Sequence, residues 1–333
     1  MQVHFAQRLT NMKGIALAGS VIVDKISVIT AYPSLGELAP VKSLSKASGG
    51  LVPNCGCGIK KICPEIDVYA IGKVGNDDDG KYVKEGLEKY GVDTSGIKFD
   101  DNLTTSFTTV ISVEAGGRTF FTYNGANAEF GIKDIDFDSN KYKMLHLGYF
   151  LLLEKIDGGE GLEILKKAVE CGIKTSIDLV SENADRYKLV IPCLKYVDNL
   201  IINEVEAGKI TGIDPVVKNL EKIAKTLKDM GVRERVIIHA PECGVCYSNN
   251  GFTLLPSFDL PKGFIAGSTG AGDAYCSGAL TGIFYDKPDL EILEIATACA
   301  TASLTKQDAI SGLNDIKTNK ELCKNFKPRV LDI

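Results

Sequence analysis

Gly267-Ser268-Thr269-Gly270-Ala271-Gly272-Asp273-Ala274-Tyr275 sets three small residues directly before a carboxylate and runs into an apolar stretch, 275–284, that reads as helix. A loop of this composition feeding a helix N-terminus suits an anion. The first N–H groups of a helix lack intrahelical partners and lie at the positive end of its macrodipole. The main chain of Ala271, Gly272 and Asp273 is therefore placed to cradle phosphate oxygens, and glycine admits them where a Cβ would hold them off. Asp273 is out of keeping with a bound phosphate. It is either a helix N-cap or a carboxylate with work to do there, such as accepting a proton.

Working outward from this stretch, the chain alternates strand and helix. The run 14–23 is the kind of apolar segment that fills a buried parallel strand, with Asp24 at its carboxyl end, where ligands bind in open α/β sheets. Asp24 is thus a candidate contact to substrate hydroxyls, or else a turn residue. Segments 26–30 and 41–47, around Pro33, Gly36 and Pro40, read as an antiparallel excursion outside the main sheet. Ser48-Gly49-Gly50 opens a helix to about 62. Its paired glycines permit close approach of a ligand, and Asn54 offers both a donor and an acceptor to a polyol.

A second buried strand is expected over 67–74, then an acid-capped helix over 81–90; the aspartates 77–79 serve that cap rather than a cation. Segments 104–113 and 118–123 are rich in Thr, Val, Ile and Phe around the turn 115–117, and together with 26–47 they predict a four-stranded lid. Strands at 144–147, 174–178 and 199–202 then alternate with helices at 161–170 and near 185–194, which predicts a parallel sheet covered on both faces. Asn203 and Glu206 follow the strand at 199–202 on one helical face. That spacing suits either a hydrated magnesium ion or local capping. A helix over 216–230 and strands at 236–239, 245–247 and 252–255 lead to the opening stretch, and helices over about 272–285 and 289–305 follow it.

The chain has 333 residues, 44% of them hydrophobic, and a net charge of -5 without a basic stripe. That balance argues against nucleic acid and anionic membrane as partners, and points to a small molecule. The beginning of the chain lacks a secretory pattern and no window approaches a membrane span, so a cytoplasmic protein is expected. Its ten cysteines read as reduced core thiols. Cys55-Gly-Cys57 and Cys243-Gly-Val-Cys246, with His239 nearby, are too far apart in sequence to make a compact zinc site. Neither a G-x-x-x-x-G-K-[ST] loop nor a G-x-G-x-x-G after the first strand is present.

Four motifs in order, Gly49-Gly50-x-x-x-Asn54, Gly125-Ala126-Asn127-Ala128, Asn203-x-x-Glu206 and Thr269-Gly270-Ala271-Gly272-Asp273, resemble those of the ribokinase-like, pfkB-type carbohydrate kinases, from Gly19 to about Gly312. The resemblance implies an α/β three-layer sandwich with a central, mostly parallel sheet and a small β-sheet lid. Residues 1–25, 48–103 and 126–333 would form the core, and 26–47 and 104–125 the lid. It further implies phosphoryl transfer from ATP to a sugar hydroxyl, with Asp273 as general base and the Gly270, Ala271, Gly272 and Asp273 backbone as anion hole. Asp24, Gly49, Gly50 and Asn54 would hold the sugar; Asn203, Glu206, Thr269 and Gly244 would serve the nucleotide, the first two through a magnesium ion. A homodimer paired through the lids is implied as well.

The chain departs from the family pattern at three places. Gly267-Ser268 stands where the motif usually begins Asp-Thr, which removes a carboxylate from the implied monovalent-cation site. The strand reading His146-Leu-Gly-Tyr149 lacks the glutamate of ribokinases proper, and Ala240-Pro-Glu-Cys-Gly244 replaces a more glycine- or lysine-bearing turn. A nucleoside kinase of the same fold and a non-catalytic sugar-binding regulator are the alternatives.

Overall fold

The structure is a computed structural model and describes residues 13–114, 116–182 and 185–332; most of the polar leader and Ala115 of the expected 115–117 turn lie outside these ranges. In chain order the first strands are β1 (Gly14–Gly19), β2 (Ile22–Ile29), β3 (Val41–Gly49), β4 (Val68–Gly75), β5 (Asp93–Asp100), β6 (Phe107–Val113) and β7 (Arg118–Tyr123). There follow β8 (Tyr142–Phe150), β9 (Lys174–Leu179), β10 (Asn199–Asn203), β11 (Arg235–His239), β12 (Cys243–Ser248) and β13 (Gly251–Pro256), with the short pair β14 (Phe258–Asp259) and β15 (Lys327–Pro328). The α-helices are α1 (Leu51–Ile62), α2 (Asp78–Lys89), α3 (Gly161–Glu170), α4 (Glu204–Thr211), α5 (Leu220–Asp229), α6 (Ala271–Phe284), α7 (Asp289–Ser303) and α8 (Ile316–Cys323).

Nine strands form one sheet in the order β13-β12-β11-β10-β9-β8-β1-β4-β5. It is parallel except where β12 pairs with β11 and β13. The side-chain period of two sorts β1 between two cores. Ile15 and Leu17 belong to the core that includes Cys55 and Ile59 of α1 and Leu280 of α6, while Ala16 and Ala18 belong to the one that includes Ile164 of α3 and Ile223 of α5. Helices therefore cover both faces, giving the expected three layers. After β1 the chain builds outward through β4 and β5; it then returns to β8 on the other side of β1 and continues to β13. The crevice between the carboxyl ends of β1 and β8 is the switch point of the sheet, the place where such folds bind ligands.

A second sheet, in the order β3-β2-β6-β7, stands beside this crevice; only its β2–β6 pair is parallel. The expected single strand 14–23 is two strands. β1 ends at Gly19, Ser20-Val21 make the crossing, and β2 starts at Ile22, so Asp24 lies within the small sheet rather than at the carboxyl end of a core strand. Asn127 secures the crossing, accepting from the Val21 amide at 3.2 Å.

Other differences have local causes. The segment expected as a helix near 185–194 is a 3-10 helix over Tyr187–Tyr196 with Pro192 inside it, and the 216–230 expectation divides into a 3-10 turn and α5. Proline removes an amide donor and obstructs the preceding turn, which disfavours continuous α-helix. β5 and α8 have no counterpart in the sequence reading: β5 is an edge strand that buries only Thr94 and Ile97, so no apolar run marks it. Among the described residues no helix is long and apolar enough to cross a membrane.

Candidate active site

Helix α6 begins at the switch-point end of the sheet. Gly270 is its N-cap with φ 79°, a left-handed turn on the wall of the crevice; the Ala271 amide donates to the Ser268 carbonyl at 3.2 Å, and Gly272 and Asp273 follow on the same wall. A Cβ on Gly270 would lie 2.1 Å from the Cβ of Ala309, so glycine is required by space as well as by backbone conformation. Asp273 sits one turn in, 7% exposed. The Asn54 amide, from α1, donates to its Oδ2 at 2.8 Å, and the Tyr149 phenol, at the end of β8, lies 3.0 and 3.1 Å from its two oxygens.

Burial pushes the Asp273 carboxyl up to about 7; the Asn54 and Tyr149 bonds oppose that rise, and the nearby Asp178 and Asp24 add to it. A buried carboxyl whose ionisation is pushed toward neutrality, at a helix start on the wall of a cleft, has the properties required of a general base. Asp273 is not acting as the N-cap: that position belongs to Gly270, and the Asp273 side chain bonds across to α1 and β8.

The other residues singled out from sequence fall into three groups around it. Asp24 and Gly49 touch across the β2–β3 pair, where a Cβ on Gly49 would meet the Asp24 carboxylate at 2.5 Å; burial raises the Asp24 carboxyl to about 6. Gly50, with φ 85°, leads directly into α1 and its Asn54. The second group lines a cleft of about 550 Å³, in which Asn203 and Glu206 share a wall with Tyr149, Asp178, Gly272 and Asp273. The third borders a neighbouring cleft of about 1180 Å³, shaped by Gly244, Ala271, Tyr275, Leu304 and Arg329; Asn203, His239 and Gly272 lie between the two. Thr269 accepts a 2.6 Å bond from Arg118 of β7, so the small sheet reaches across the crevice to the anion loop.

Asn203 and Glu206 form a reciprocal capping box at the start of α4, with the Glu206 amide on Asn203 Oδ1 at 2.8 Å and the Asn203 amide on Glu206 Oε2 at 3.1 Å. Ser181 donates to Glu206 Oε1 at 2.9 Å. With these atoms engaged, the pair fits a magnesium ion through its water shell rather than by direct ligation. Burial raises the Glu206 carboxyl to about 7.

At Gly267 a Cβ would stand 2.9 Å from Gln307 Cα and 3.0 Å from the Lys306 carbonyl, so the local backbone has closed over the place of an aspartate. His239, pushed down to about 4 by burial, is neutral and packs on Tyr275 with ring centroids 4.9 Å apart and planes tilted by 36°.

The two cysteine pairs lie on separate elements, α1 and β12, and all ten cysteines are free. Among the described residues one buried trio, His146, Asp178 and Cys276, brings potential metal ligands together. Ordinary contacts account for it, with His146 Nδ1 at 2.8 Å from Ser176 Oγ and Cys276 Sγ 3.6 Å from Nε2. Sequence reasoning gave no role to Tyr149, Arg118 or Asp178. Nothing local marks them: each reaches the site through the way its strand is placed in the sheet.

A buried carboxylate beside a glycine-capped helix start, at the switch point of an open α/β sheet with a small sheet beside it, sits in a ribokinase-like fold. The chain belongs to the pfkB family of carbohydrate kinases, whose family model matches residues 12–316. It is similar to a probable fructokinase-7 of Arabidopsis thaliana, 27% identical over 90% of this chain and 91% of that one. A ribokinase of Schizosaccharomyces pombe is 26% identical over 91% and 95% of the two chains. Among solved structures, that of Arabidopsis thaliana ribokinase complexed with ribose and ATP superposes with a TM-score of 0.79 at 20% identity, covering 94% of this chain and 99% of the other. The enzyme is a carbohydrate kinase.

Proposed function

We propose that this chain transfers the γ-phosphoryl group of ATP to a hydroxyl of a ribokinase- or fructokinase-type sugar. The observation that carries the reading is the Asp273 carboxylate, desolvated and held by Asn54 beside the Gly270 turn. Asp24, Gly49, Gly50 and Asn54 hold the sugar under the lid. Asp273 takes the proton of the acceptor hydroxyl as its oxygen bonds to the γ-phosphorus; the bond from that phosphorus to the bridging oxygen breaks, and ADP leaves. The amides of Ala271, Gly272 and Asp273 stabilise charge on the transferring group.

Gly244 and Thr269 border the nucleotide, whose base fits the larger cleft. Asn203 and Glu206 would hold a magnesium ion, which would supply neutralisation of phosphate charge. The lid, bridged to the loop by Arg118 and Thr269, excludes water during transfer. ADP release measured over a panel of sugars and nucleosides tests the reading. Turnover with a sugar supports it, turnover with nucleosides alone moves the chain to the nucleoside kinases, and sugar binding without any turnover marks a regulator.

Two further expectations belong here. Potassium activates the enzyme less than twofold, because Gly267 supplies no carboxylate and its surroundings leave no space for one; a steep rise of rate with potassium contradicts this. The chain pairs with a second copy through the lid, which exposes Leu44 on β3 and Phe120 and Phe121 on β7 at 78%, 55% and 59%. Light scattering is expected to give a dimer at micromolar concentration and a monomer for Leu44→Asp. A monomeric parent chain overturns the lid dimer.

A further inference from the structure

Tyr149 occupies an unusual position. It is one of three non-glycine residues with positive φ among the described residues, at 63°, and a second, Leu151 at 79°, is two positions on. The register between β8 and β9 shifts between Leu147 and Phe150, so the strand is bulged where Tyr149 leaves it. Bulges and left-handed side-chain-bearing residues are strained features that re-aim a side chain, and they persist where the surroundings enforce them. Here both ends of the residue are held. Its amide donates to Asp178 Oδ1 at 2.7 Å and its phenol lies on Asp273.

The groups facing Asp273 come from every element around it: Asn54 and Cys55 from α1, Asp24 from β2, Asp178 from β9 and Cys276 from α6, besides Tyr149 itself. Two of them are carboxylates, and among the described residues no lysine or arginine pairs with Asp273. The Asn54 amide and the Tyr149 hydroxyl are its side-chain donors. Burial and the neighbouring carboxylates hold the phenol protonated, so it acts as a donor throughout the neutral range.

We propose that Tyr149 is a positioning residue for the base: its phenol fixes the Asp273 carboxylate until the acceptor hydroxyl takes its place on one oxygen. The inference rests on Asp273 being the base of the reading above. It also makes Tyr149 a filter. A water molecule without the sugar's other contacts has nothing to hold it in the phenol's place, so the base stays occupied while the sugar site is empty.

The test is Tyr149→Phe, which removes one hydroxyl and keeps the ring. Loss of a donor to the carboxylate raises the Asp273 pKa. The acid limb of kcat/KM is therefore expected to move up by about one pH unit, with kcat/KM at pH 7 down about fivefold and restored at higher pH. The KM for sugar is expected to stay within about twofold, and ATP hydrolysis without sugar to rise. An acid limb that superposes on that of the parent chain overturns the proposal, as does a uniform loss at all pH values. A titration of the Asp273 carboxyl by carbon NMR, in the parent chain and in Tyr149→Phe, reads the same coupling without turnover. If no acceptor is phosphorylated by the parent chain, the kinase reading fails, yet the NMR shift still decides whether Tyr149 governs Asp273.

Discussion

Asp273→Asn is expected to lower kcat by at least about a hundredfold, the size of a positioned acid-base contribution, while sugar affinity measured calorimetrically stays within a few-fold. Asparagine keeps the shape and hydrogen-bonding reach of the side chain but cannot accept the hydroxyl proton. In the parent chain kcat/KM should climb as pH rises toward about 7, where the buried carboxyl ionises, and then level off. The asparagine variant should lose that limb.

Unfolding does not explain such a loss, and the sign of the linkage shows why. The folded chain binds the Asp273 proton more tightly than the unfolded chain, whose carboxyl titrates near 3.8. The stability contribution of this group is therefore full below that value and is lost as pH rises through about 7. At pH 8 the variant should be at least as stable as the parent by urea denaturation. Near-normal turnover with a retained acid limb would sink the assignment of Asp273 as base.

The second large effect is expected from Gly270→Ala. The new methyl group would meet Ala309 Cβ at 2.1 Å and Ala309 Cα at 2.6 Å, on a backbone whose φ of 79° already disfavours alanine. Neither neighbour is the end of a flexible side chain, so the loop or the segment at 309 must move. A loss of about 2–4 kcal/mol in urea denaturation is expected from strain and overpacking together. Turnover should fall about a hundredfold, because the displaced amides no longer face the transferring group. Gly272→Ala is the contrasting variant: its Cβ would make an ordinary 3.5 Å contact with His239, so the fold should tolerate it. Equal stability of Gly270→Ala and the parent chain would contradict the packing argument.

The layered fold was legible because the inner strands are continuous apolar runs and the helices between them carry a different period. The crossing at Ser20-Val21 was not. Residues 14–23 are apolar on both sides of it, and the turn is set by contacts with Asn127, far along the chain. The helix start at Gly270 and the Asn203–Glu206 box were legible from local spacing, since both are helix termini. Asp24 was singled out by its place after the 14–23 run, and that run proved to be two strands. Tyr149 escaped because its role arises from a register shift and a left-handed turn that no residue type announces.

One feature of the architecture bears on how such an enzyme changes over generations. Asn54 and Asp273 are joined through two core helices in direct contact, where Cys55 Sγ lies 3.3 Å from the Asp273 carbonyl and a Cβ on Gly58 would meet Ser277 Oγ at 2.6 Å. The small sheet, by contrast, is made of two excursions from the core that touch the loop through an exposed arginine. Substitutions in those excursions can reshape the space above the crevice while the Asn54–Asp273 pair stays in register. The two helices fix the Asn54–Asp273 contact, and the excursions bear on it only from outside.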